Sequence, residues 1–81
     1  MTDKGLAYQI YPNPFKDYFI VQLEGKTKEV PLELYNAMGN LVFSSYVQAE
    51  TRINMKKFPI GFYYCKIGKG LNMRIEKMVK L

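Results

Sequence analysis

The chain has 81 residues, with 12 Lys and Arg against 7 Asp and Glu, a formal net charge of +5, no His, no Trp and one Cys. Without imidazole there is no Ser-His or Cys-His pair for nucleophilic catalysis, and a single thiol allows neither an intrachain disulfide nor a thiolate metal site. Hydrophobic residues at 48% and aromatics at 15% support one packed domain over residues 1–81 and argue against disorder.

These absences predict a protein with no enzymatic role, no metal and no cofactor. The basic residues are scattered and never form a run, which argues against nucleic-acid binding and for a solvated basic surface. No window reaches the length of a transmembrane helix. The opening "MTDKGLAYQI" lacks the basic region followed by an apolar stretch that a signal peptide needs.

Apolar residues alternate, and turn residues interrupt them at short intervals, so seven strands of an all-β sandwich or barrel are predicted. The first strand covers Leu6 to Tyr11, with Leu6, Tyr8 and Ile10 on one face. Pro12 ends it, because proline has no N–H for a ladder. Pro14 holds Asn13 extended, and Asn13 is expected to cap the turn on its own backbone. "PNP" is then a rigid corner that redirects the chain.

The second strand, Tyr18 to Leu23, puts Phe19, Val21 and Leu23 on one face. "EGKTKE" is a loop. The third strand begins at Val30 and alternates Val30, Leu32 and Leu34 against Pro31, Glu33 and Tyr35, with Pro31 marking an edge or a strand start. Asn36 to Asn40 is a hairpin turn in which Gly39 supplies positive φ. The fourth strand starts at Leu41, with Leu41, Phe43 and Val47 of one parity. A short strand covers Thr51 to Met55. The sixth, from Phe62, faces Tyr63, Cys65 and Ile67 one way and Phe62, Tyr64 and Lys66 the other. Gly68 to Gly70 is a tight turn. In the last strand Met73, Ile75, Val79 and Leu81 share a face, with Lys77 as the odd residue on it, and Arg74, Glu76 and Lys80 point away.

Cys65 has no basic neighbour on its own face and is expected to be buried and inert. The Phe62, Tyr64, Lys66 stripe is expected to be half-covered sheet surface rather than a base-stacking platform. Lys77 is either a contact residue or a rim residue with its stem on apolar surface. The terminal "KMVKL" is an ordinary strand or an address read by another protein.

Four segments follow one another along the chain: "YPNPF", "LELYNAMGNLV", "INMKKFPIGFYYCKI" and "RIEKMVKL". Together they resemble the C-terminal sorting domain of the type IX secretion system, type A. Tyr11, Pro12, Asn13 and Pro14 fit the family's opening. Tyr35, Gly39, Asn40 and Val42 fit its middle turn, where the family often has Asp at Asn36 and Arg at Asn40. Met55 and Phe58 take its leucine-like positions, Gly61 and Tyr63 its Gly-x-Tyr element, and Lys77, Met78 and Val79 its closing element. The resemblance implies a seven-stranded antiparallel immunoglobulin-like β-sandwich, the C-terminal domain excised from a larger secreted protein, with which the missing signal peptide agrees. It also implies a sorting signal that takes a cargo from the periplasm across the outer membrane to the cell surface or medium. Its implied partners are the outer-membrane translocon, a shuttle protein and a sortase that usually removes it. The resemblance does not fix the cut, and the segment before Leu6 is its natural place. Weak self-association through edge strands is a further expectation. The alternative is an immunoglobulin-like module of the flagellar hook-capping type. That module shares the opening but usually carries a Trp-Asp-Gly segment, and this chain has no Trp.

Overall fold

A computed structural model describes residues 7–25 and 28–81. Seven strands form: β1 Tyr8–Tyr11, β2 Tyr18–Leu23, β3 Val30–Asn36, β4 Leu41–Val47, β5 Glu50–Asn54, β6 Gly61–Ile67 and β7 Arg74–Lys80. They make a sheet of order β1-β2-β5 and a second of order β4-β3-β6-β7, with every neighbouring pair of strands antiparallel. The architecture is the expected seven-stranded sandwich, in which inward residues of both sheets interdigitate. Leu6, assigned above to the first strand, and the segment before it lie outside the described residues.

Alternation places the core. Phe19, Val21 and Leu23 of β2 face Leu32 and Leu34 of β3 and Tyr63, Cys65 and Ile67 of β6, all buried. Pro31 lies inside a central strand without cost to the ladder. The β3–β6 pairing ends at Leu32↔Ile67, so Pro31 is beyond the point where β6 needs its N–H, and its carbonyl accepts from Gly68 N at 2.9 Å. Between Leu34 and Tyr35 the register with β4 shifts, so Leu34 pairs with Phe43 and Tyr35 with Leu41. That bulge breaks the parity expected for β4. Leu41 is exposed, while Val42 and Phe43 both pack against the core.

Gly68 to Gly70 does turn the chain, but a short 3-10 turn, Gly70–Asn72, follows before β7 begins at Arg74. In β7 the expected faces are inverted. Met78 is completely buried, and Ile75 is exposed. Register gives the reason: Met78 pairs with Tyr63, and directly opposed residues of an antiparallel ladder share a face. Tyr63 points inward, so Met78 must. Lys77 is therefore no misfit on an apolar face. It stands on the outer face, its ammonium 4.3 Å from the centre of the Phe62 ring.

Candidate functional site

Four sequence elements that lie far apart along the chain meet at one end of the sandwich: the proline corner after β1, the β3–β4 turn, the start of β6 and the end of β7. Antiparallel register brings them there. Asn36 pairs with Tyr63, Gly61 with Lys80, and Tyr11 with Ile20 at the start of β2.

The corner is the centre of this arrangement. Both of its X–Pro bonds, Tyr11–Pro12 and Asn13–Pro14, are cis. Asn13 does not cap its own turn, as the sequence suggested. Its Nδ2 donates to the Lys77 carbonyl at 2.9 Å, and its Oδ1 accepts from Val79 N at 3.1 Å. Two residues on, Phe15 N donates to the Val79 carbonyl at 2.9 Å, and the Phe15 carbonyl accepts from Leu81 N at 2.8 Å. The side-chain amide thus acts as a strand's peptide group, and Phe15 continues it as a parallel bridge to Lys80. Outward N–H and C=O groups at the end of β7, which would otherwise be a bare sheet edge, are satisfied from the corner. The Phe15 ring is buried and meets Phe19 edge-on, with centroids 5.2 Å apart.

The β3–β4 turn is built on Asn36. Its Oδ1 accepts from both Met38 N and Asn40 N at 3.0 Å, and Gly39 has φ +88°. An Asp at this position would offer the same acceptor. The side chain of Asn40 takes no part in this geometry.

The Gly-x-Tyr element is structural. Gly61 has φ +141°, which disfavours any side chain. Tyr63, two residues into β6, is buried and donates its hydroxyl to the Pro59 carbonyl, and burial raises its pKa. A Tyr near the start of the sixth strand that bonds back to the preceding corner is the tyrosine corner of immunoglobulin folds. The following Cys65 is buried and its thiol is pushed up to about 12, by burial first and by Glu76 second. It is an inert core residue.

The residues singled out from the sequence therefore divide by exposure. Tyr63 and Met78 are buried and hold the core, and Val79 is half-covered under the corner. Pro12, Asn13, Pro14, Gly39, Gly61 and Lys77 are exposed at the shared end, and Tyr11 is partly exposed, its hydroxyl 3.3 Å from Gln22 Oε1. On the outer face of the same sheet Phe62 and Tyr64 are exposed, and Lys66 is 3.6 Å from Glu33. The Phe62 ring is already engaged by Lys77, so the stripe is sheet surface with its charges partnered.

Sequence reading missed two features. One is an open apolar groove of about 240 Å³ between the β3–β4 turn and the start of β6, lined by Met38, Val42, Phe58, Ile60 and Phe62 among others. The exposed apolar residues in "NAMGN" and "FPIGF" were its signal. The other is a cross-sheet bond from the Tyr8 hydroxyl to Glu76 Oε1 at 2.8 Å. Burial, then that bond, raises the Tyr8 pKa to about 12.

No helix among the described residues is long and apolar enough to cross a membrane. No curated protein matches the chain. A family model described as the secretion system C-terminal sorting domain matches residues 9–81, and so takes in the proline corner, both glycine turns and the closing strand. The chain belongs to the type IX secretion system C-terminal sorting-domain family.

Proposed function

We propose that residues 1–81 form the C-terminal domain of a larger secreted protein and act by being recognised. The cargo reaches the periplasm, a shuttle protein binds the folded domain, and the outer-membrane translocon passes the cargo outward. A sortase then removes the domain, and the cargo is released or attached to the surface. The domain itself performs no chemistry. The observation that carries the recognition reading is the convergence of the family's four sequence elements on one end of the sandwich. There Asn13 binds Lys77, 64 positions away. A signal built this way is a surface assembled by folding rather than a linear peptide.

The test is export of a reporter. A periplasmic signal peptide and a fluorescent protein are fused ahead of residues 1–81 and expressed in a host with type IX machinery. Signal at the surface or in the medium, absent when the domain is left off, supports the reading. Retention in the periplasm overturns it. Recognition at the end of β7 is tested by Lys77→Ala, because Lys77 is exposed. Cutting after Glu76 is a one-sided test: unchanged export would rule out recognition of the end, but loss would also follow from removing the buried Met78.

A further inference from the structure

We infer that the groove between the β3–β4 turn and the start of β6 is a docking point for an acidic polypeptide segment of a partner protein, anchored by one bulky apolar side chain. The inference rests on the recognition reading above and names the chemistry of what is recognised. Its walls are apolar, and its outermost residues, Met38 and Ile60, are 81% and 72% exposed. Two such side chains facing water across a concavity have no folding role at that exposure, and they form an anchor site of the kind apolar hot-spot residues fill. A volume of about 240 Å³ is below the roughly 300–1,000 Å³ of small-molecule sites. It suits a side chain better than a cofactor.

Charge selects the partner. Phe58 is shared with an adjoining concavity of about 300 Å³ whose other lining residues are Asn54, Lys56 and Lys57. On the opposite side Lys77 lies over Phe62, and Lys80 is paired in register with Gly61. Lys16 is at this end too, and Asp17 is the acidic residue beside it among the described residues. The far end mixes signs, with Glu24, Glu29 and Glu50 around Lys28, Lys69 and Arg74. An apolar slot between lysines is complementary to an apolar residue flanked by carboxylates. A second copy presenting the same end would set lysine against lysine. A membrane surface would find a concavity where it needs an even face.

The probe is a short acetylated peptide with Phe and Leu between aspartates, titrated into the 15N-labelled chain. Its lysine counterpart is the control. The acidic peptide is expected to shift the amides of Met38, Ile60, Gly61 and Phe62 saturably, and less so as salt rises. Ile60→Ser and the Lys56→Glu, Lys57→Glu pair are expected to weaken it at least about fivefold, the scale of losing one anchoring contact. Both alter exposed positions, so melting temperatures should hold. Equal binding of the lysine peptide, or binding indifferent to Ile60→Ser, overturns the inference. So does preferential occupation of the groove by phosphatidylglycerol vesicles, or concentration-dependent shifts there without peptide. The export reporter separates the two readings. A reporter with Ile60→Ser that binds no peptide but still reaches the surface overturns the docking point and leaves sorting intact. Periplasmic retention of the unaltered reporter overturns sorting and this inference together.

Discussion

A single amide side chain joins the two ends of this domain. Asn13 makes two hydrogen bonds to the backbone of β7, one as donor and one as acceptor, and only a carboxamide at this reach offers both. Asn13→Ala should cost about 1–3 kcal/mol, from net hydrogen-bond worths of roughly 0.5–1.5 kcal/mol for each of the two bonds. For a domain of this size each kcal/mol lowers Tm by roughly 4–8 °C. Asn13→Asp should cost as much, because a carboxylate cannot donate to the Lys77 carbonyl. A thermal melt of the three proteins checks this, and faster amide exchange at Val79 should accompany it. Two other residues set a pH limit. Tyr8 and Cys65 each have a pKa of about 12 in the fold, against ordinary values of 10.0 and 9.0. Both bind their proton more tightly folded than unfolded. Their contribution is complete below about pH 9 and is lost as pH rises towards 12. Denaturant midpoints should decline over that window, and less steeply in a Tyr8→Phe, Cys65→Ala variant.

At the scale of elements, β7 is the informative strand. Met78→Ala should destabilise by about 2–5 kcal/mol, the usual range for a buried large-to-small change. Ile75→Ser should change stability by less than about 0.5 kcal/mol, as exposed sites do. Urea unfolding of the two variants distinguishes this arrangement from the opposite face assignment, which would reverse the order. Strands β2, β3 and β6 were legible in the sequence because one parity of each is apolar along its core-facing length, up to Asn36 at the end of β3. β7 carries Ile75 and Val79 on one parity and Met78 on the other, so alternation alone pointed to the wrong face. The deciding information is its register against Tyr63 and Phe15, which is long-range and leaves no local trace. The β4 faces were misread for a related reason, since one bulge turns both Val42 and Phe43 towards the core. The proline corner was legible as a stiff turn. Its bonding partner was not, because nothing near Asn13 indicates a strand 64 positions on.

Across the whole molecule, Lys16, Lys56, Lys57, Lys77 and Lys80 gather at the end where the family's elements meet, and that end holds the groove. The individual members of this site could be read from the sequence. Their convergence could not, because it depends on how two sheets stack. A chain cut after Glu76 loses Met78 from the core and leaves Asn13 and Phe15 without partners. It should show little cooperative melting by circular dichroism, whereas the exposed-site variant Lys77→Ala should melt like the parent. The corner's grip on β7 has one more consequence. Because its hydrogen bonds span nearly the entire described chain, they cannot form until the last strand has been synthesised. The corner and β7 therefore close together or not at all. A chain that lacks β7 leaves the corner unpaired and presents no assembled surface at that end, so a partner reading that surface, as proposed above, would bind only chains that carry β7.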